Sequence, residues 1–116
     1  MSVTIWHNPR CSKSRATLKL LQDRGIEPEV RLYLDRPPTK GELAEALTAL
    51  GLSAMDLVRT SEPEWKLTGL GPESGKADVI AALAAHPKLI ERPVVFCNGS
   101  ARIGRPPEAV LDLFEP

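Results

Sequence analysis

Cys11 has the most chemistry within reach of any residue in this chain. It lies in His7-Asn8-Pro9-Arg10-Cys11-Ser12-Lys13-Ser14-Arg15, between an apolar strand-like run and the first helical pattern. A thiol placed where a strand hands over to a helix faces backbone N–H groups that have no helical partner and carry partial positive charge, which favours thiolate over thiol. Arg10, Lys13 and Arg15 push the same way. Arg10 and Lys13 precede or open the helix, where cations oppose its dipole, so an anion held nearby explains them better than helix stability does. The stretch reads as a nucleophilic cysteine in an anion cradle. Ser14 completes a C-x-x-S spacing, which lacks the second thiol that would resolve a disulfide, so a redox turnover needs an external thiol. The Ser14 hydroxyl equally suits a backbone hydrogen bond in the first helical turn.

Other reactive residue types are few. His7, four residues before the cysteine, is either a base for the thiol or a loop residue. Cys97 ends the apolar run Val94-Val95-Phe96 and reads as a packed strand residue more than a resolving thiol. His86, beside Pro87, reads as structural, and Trp6 and Trp65 as packing residues. Singly, Arg59, Arg92 and Arg105 are ordinary solvated cations. As a set they suit one task, because a tetrahedral oxyanion beside a thiolate is repelled unless several forked donors neutralise it.

The composition narrows the classes. At 116 residues the chain reads as a single domain, 1–116. Basic and acidic residues balance at 15 each, and no basic run exceeds two residues, so neither nucleic acid nor a membrane surface is an expected partner. No apolar run approaches a membrane span and no signal pattern precedes the first strand, which points to the cytoplasm. Two cysteines and two histidines without a C-x-x-C or H-x-x-x-H pair give no zinc signature, and no bound metal or organic cofactor is expected.

The elements that must position these residues follow from periodicity. Val3–Trp6 reads as a buried strand ended by Asn8-Pro9, and Lys13–Arg24 as a helix with Ala16, Leu20 and Leu21 inward, stopped by Gly25. Glu29–Leu34 alternates, with Val30, Leu32 and Leu34 on a covered face, giving a βαβ unit with parallel strands and a right-handed crossover. After Pro37-Pro38, Thr39 and Glu42 form a capping box for a helix carrying Leu43, Ala46, Leu47 and Leu50, closed by Gly51. Ser53 and Asp56 open a shorter helix with Leu57 and Val58, and Arg59 at its end. A turn at Glu64–Leu67 and a helix at Lys76–Ala85 come next. Val94–Cys97, the Asn98-Gly99 turn and Ala101–Ile103 form a hairpin, and Glu108–Phe114 a last helix. The expected fold is α/β: a mixed four-stranded sheet flanked by helices, with a helical insertion between strands 2 and 3.

That order, with a cysteine after the first strand and a proline just before the third, resembles the thioredoxin fold. HNPRCSKSR, Arg59, ERPVV at Glu91–Val95 and RIGRPPEAVLDL at Arg102–Leu113 together resemble the glutaredoxin-coupled arsenate reductase family, in its short SKSR-bearing branch. The resemblance spans about Val3 to Leu113. It implies that Cys11 is the nucleophile, that His7 helps lower its pKa, and that Arg59, Arg92 and Arg105 bind the oxyanion; Ser12, Ser14 and Arg15, beside the thiol at the helix start, complete the expected substrate-binding set. It also implies a cis Pro93 aiming Arg92 at the pocket, arsenate or a related oxyanion as substrate, glutathione as co-substrate and glutaredoxin as partner. Members better known for arsenate resistance carry Gly-Thr where this chain has Ser12-Lys13, and a longer C-terminal tail.

Two rival readings compete, and the fold and cysteine position also resemble the first. Spx-type transcription regulators, which bind RNA polymerase, use a C-x-x-C switch that Ser14 breaks, and have no need of three arginines. A general glutathione-dependent thiol oxidoreductase would need no oxyanion site. A tyrosine-phosphatase-like loop is disfavoured, since Thr17 stands where that chemistry requires arginine.

Overall fold

The computed structural model describes residues 2–114, which fall into two compact units. The first comprises the chain up to Arg36 together with the stretch from Arg92 onward, and the second is Pro37–Glu91.

In the first unit, β1 (Val3–His7), α1 (Ser12–Asp23) and β2 (Glu29–Leu32) form the βαβ unit, and β3 (Val94–Cys97) and β4 (Ser100–Ile103) form the hairpin. The sheet runs β2-β1-β3-β4; β1 and β2 are parallel with Ile5 opposite Val30, and the other pairs are antiparallel, with Ile5 opposite Val95. Asn98 (φ 51°) and Gly99 (φ 82°) are both left-handed, the backbone that a two-residue hairpin matched to strand twist requires. One sheet face buries Val3, Ile5, Val95 and Cys97 against Leu21 of α1 and Val110 of a closing 3-10 helix, Pro107–Leu113, with Leu18, Ile26 and Phe114 packed around them. On the alternate face Trp6 meets Phe96 with ring centroids 4.9 Å apart.

Three expectations need correction in this unit. Ala16 is exposed and Leu20 half-buried, while Ser14, Thr17 and Leu21 form the inner stripe of α1. The two polar residues can turn inward because each hydroxyl has a partner, His7 for Ser14 and the Lys13 carbonyl for Thr17. Second, Val30, Leu32 and Leu34 are 37–40% exposed, whereas Tyr33 is buried. β2 is an edge strand, and α1 and the closing helix pack over β1, β3 and β4. The strand also stops at Leu32, whose carbonyl accepts N–H groups from Asp35 and Arg36 in a turn. Third, the closing helix has 3-10 geometry, which two prolines at its head and its short length favour.

The second unit is helical: α2 (Lys40–Leu50), a 3-10 turn at Ala54–Leu57, α3 (Pro63–Leu67), α4 (Lys76–Ala85) and a second 3-10 turn at Pro87–Leu89. The α2 capping box forms as expected, with Thr39 Oγ1 accepting the Glu42 N–H (3.1 Å) and Glu42 Oε1 accepting the Thr39 N–H (2.9 Å). Gly51 closes it in the left-handed region at φ 68°. Leu43, Leu57, Val79, Leu83, Leu89 and Ile90 make the core. Val58 and Arg59 are not helical: Val58 forms an antiparallel bridge to Ile90, and the Arg59 N–H donates to the Leu89 carbonyl (2.7 Å).

Candidate active site

The loop from β1 to α1 is built from its own polar groups. The Cys11 N–H donates to the Asn8 carbonyl (3.0 Å), Asn8 Oδ1 accepts the Arg10 N–H (3.0 Å), and Arg15 Nη1 donates to the Pro9 carbonyl (2.9 Å). Cys11 is thereby the N-cap of α1, in extended conformation (φ −95°, ψ 122°), and its own carbonyl accepts the first helical N–H, from Arg15. No acidic residue occupies the first turn.

Opposing forces act on the sulfur. Partial burial raises the thiol pKa, but the Ser14 N–H, a hydrogen bond from the Arg92 guanidinium, the Lys13 N–H and the charge of Arg92 together outweigh it, so the thiol ionises below the ordinary value. Arg105 adds a donor, with Nη2 3.5 Å from Sγ.

The two arginines arrive from separate loops that are locked to each other. Arg92 precedes β3 across a cis bond to Pro93, and Arg105 follows β4 and precedes a second cis bond, to Pro106. Arg105 Nε donates to the Arg92 carbonyl (2.7 Å), and the Gly104 N–H donates to the Pro93 carbonyl (2.9 Å). Arg105 thus braces the backbone of Arg92 while presenting its other end to the thiol.

His7 is 6% exposed, and its Nδ1 lies 2.6 Å from Ser14 Oγ. Ser14 Oγ also accepts the Asn8 N–H (3.0 Å), which leaves its own proton to donate to His7 Nδ1. We assign His7 the Nε2–H tautomer on that network. Burial, and then the charge of Arg15, hold its pKa below 6.5, so the ring is neutral near neutrality. Its hydrogen bond goes to Ser14, whose N–H in turn faces the sulfur.

Cys11, Arg92, Arg105, Ser14, His7 and Arg15 thus share one neighbourhood in the first unit. Ser12, Arg10 and Lys13 are exposed around it. Arg59 belongs to the second unit, where its guanidinium lies 3.4 Å from Glu62 Oε1 and 3.7 Å from Glu91 Oε1. Cys97 is a buried strand residue, 3% exposed. Two contributors escaped the sequence reading, Asn8 as the organiser of the turn and Gly104 as the residue between the arginine loops. Asn8-Pro9 was legible as turn chemistry, but the role of the Asn8 side chain was not read from it. Among the described residues no group of three or more His, Cys, Asp or Glu side chains is arranged to hold a metal, and no helix is long and apolar enough to cross a membrane.

A four-stranded mixed sheet flanked by helices, with a cysteine heading its first helix, defines a thioredoxin-like α/β protein. The chain belongs to the ArsC family, whose sequence model matches residues 6–113. It is 50% identical over 113 residues to the uncharacterized protein YfgD of Escherichia coli strain K12, covering 96% of this chain and 95% of that one. It is 47% identical over 110 residues to an arsenate reductase of Neisseria meningitidis serogroup A, covering 93% and 94%. The solved structure of an arsenate reductase from Vibrio cholerae has a TM-score of 0.94 at 49% identity, covering 97% of this chain and 98% of that one.

Proposed function

We propose that this protein reduces arsenate to arsenite, with Cys11 as nucleophile. One observation carries the reading: a thiol held below its ordinary pKa, with the guanidinium groups of Arg92 and Arg105 directed at its sulfur. Those charges serve both to ionise the sulfur and to hold a second anion against it. Relatives named arsenate reductase at 47% and 42% identity over nearly the full chain support the choice of substrate.

In this account the Cys11 thiolate attacks the pentavalent arsenic, and one arsenic oxygen takes up protons and leaves as water. Glutathione, the co-substrate, displaces a second oxygen as water and forms a Cys11–arsenic–glutathione adduct. A glutaredoxin thiolate attacks the glutathione sulfur, and the sulfur–arsenic electron pair passes to arsenic. Arsenic is thereby reduced from As(V) to As(III), while the glutaredoxin and glutathione sulfurs are oxidised to a mixed disulfide and Cys11 stays bonded to arsenic. Water then releases arsenite and regenerates the Cys11 thiolate. The glutathione and glutaredoxin steps rest on the family resemblance; the need for an external thiol rests on Ser14 standing where a second cysteine would complete C-x-x-C.

Arg92 and Arg105 hold the arsenate oxygens, and Arg59 is assigned as a third donor by its motif position. The N–H groups of Ser12, Lys13 and Ser14 complete the cradle. Arg15, through the Pro9 carbonyl, keeps the loop in shape. His7 acts through Ser14. Residues 1–116 act as one domain in the cytoplasm, with no resident cofactor. A coupled assay with arsenate, glutathione and glutaredoxin tests the proposal: turnover in wild type and its loss in folded Cys11→Ser are expected, and a wild type that turns over mixed disulfides but not arsenate refutes it.

A further inference from the structure

The backbone at Gly104 passes closer to α1 than a side chain would allow. A Cβ there would stand 2.5 Å from Thr17 Oγ1, 2.8 Å from Pro93 Cγ and 3.2 Å from Thr17 Cγ2, the first two inside the approach of real atoms. Gly104 does not lie in the left-handed region, so space rather than φ demands glycine. Thr17, on the other side of the contact, is fully buried, and its hydroxyl donates to the Lys13 carbonyl one turn back (2.8 Å). Lys13 in turn presents its N–H to the Cys11 sulfur.

Pro93 follows Arg92 and Gly104 precedes Arg105, and the two arginines are tied through Arg105 Nε and the Arg92 carbonyl. The thiol and the guanidinium groups therefore come from separate segments of chain, which meet where the Gly104 backbone faces the side chains of Thr17 and Pro93. We propose that Thr17 and Gly104 are a positioning pair whose close approach sets the separation between the Cys11 sulfur and the guanidinium groups of Arg92 and Arg105. Neither residue touches the sulfur. Their effect reaches the sulfur through contacts such as that of Arg105 at 3.5 Å, because donor–acceptor attraction falls steeply with distance and angle.

The test is Gly104→Ala, read by the pH dependence of Cys11 alkylation with iodoacetamide. The apparent thiol pKa is expected to rise by about one unit as the guanidinium groups are pushed away. Removing the Thr17 side-chain atoms in Thr17→Ala/Gly104→Ala, which leaves the Pro93 Cγ contact in place, is expected to reverse part of that shift. Gly71→Ala, where a Cβ meets nothing within 4 Å, is expected to leave the profile unchanged. An unshifted profile in folded Gly104→Ala overturns the proposal, as does a shift that the Thr17 change fails to reverse. Should Gly104→Ala fail to fold by circular dichroism, Thr17→Val decides instead, since it puts a methyl where the hydroxyl meets Gly104: a raised pKa supports the pair and an unchanged one overturns it. The consequence for arsenate, a higher KM in Gly104→Ala, rests on the function proposed above. Alkylation requires no arsenate, so a protein that shows the shift but reduces no arsenate refutes that function and leaves the positioning pair standing.

Discussion

The first turns of α1 and α2 solve the same problem in opposite ways. Each helix begins with backbone N–H groups that need acceptors. At α2, Thr39 and Glu42 supply two, and the acidic side chain suits the dipole. At α1 the cap is Cys11, the first turn holds no acid, and Ser12, Lys13 and Ser14 follow. Ser14, a side chain that could cap a helix, is turned inward to His7 instead. The α2 start is closed by its own side chains, whereas the α1 start keeps its N–H groups for a sulfur anion and for whatever that anion meets. Conventional capping is what a helix gives up when its end must bind something.

The largest test of that contrast is Cys11→Ser, which gives α1 a conventional neutral cap. Arsenate turnover should fall at least about 1,000-fold, while stability at a pH low enough to protonate the wild-type sulfur should not fall, because serine is a preferred N-cap. A thermal melt beside the coupled assay checks both. Arg105→Ala removes one forked donor and should weaken arsenate binding by about 10- to 100-fold; unchanged affinity by calorimetry would take Arg105 out of the anion site. At the other helix, Thr39→Ala should cost about 1 kcal/mol in denaturant unfolding and leave turnover intact, separating a cap that stabilises from one that reacts.

Smaller effects come from titration. His7 has a folded pKa below 6.5, so the unfolded chain binds more protons as pH falls under that value, and stability drops with it. His7→Gln should flatten this acid limb in melts between pH 7 and pH 5. The Cys11 thiol obeys the same sign higher up: it is depressed in the fold, so stability rises with pH between its folded value and the ordinary thiol range, and Cys11→Ser removes that slope. Cys97→Ser, at a buried strand site packed with Val3, Ile5 and Val95, should change turnover less than about two-fold. Lost turnover there would require an internal disulfide in the reaction.

The two helix starts also explain what the sequence could disclose. Everything that fixes α2 lies within its own residues, Thr39, Glu42 and Gly51, so it was legible in full, as was the Asn98-Gly99 hairpin. The place of Cys11 at the head of α1 was legible because its signals are local as well. The inner stripe of α1 was not, because Ser14 and Thr17 are buried against partners far along the chain or on a preceding strand. Alternation in β2 suggested a covered face of Val30, Leu32 and Leu34, and these are exposed, since which residues are covered depends on the strand's place at the sheet edge. Arg59 was read as ending a helix, yet its position is set by a bridge from Val58 to Ile90. The placement of Arg105 against the thiol depends on contacts across 94 residues, which no local pattern records.

Arg105 grips the carbonyl of Arg92 with one edge and the thiol with another. The pair is therefore wired in series rather than in parallel. Truncating Arg105 also loosens the strand entry that carries Arg92, so the losses from the two single alanine variants should sum to more than the loss in the double variant.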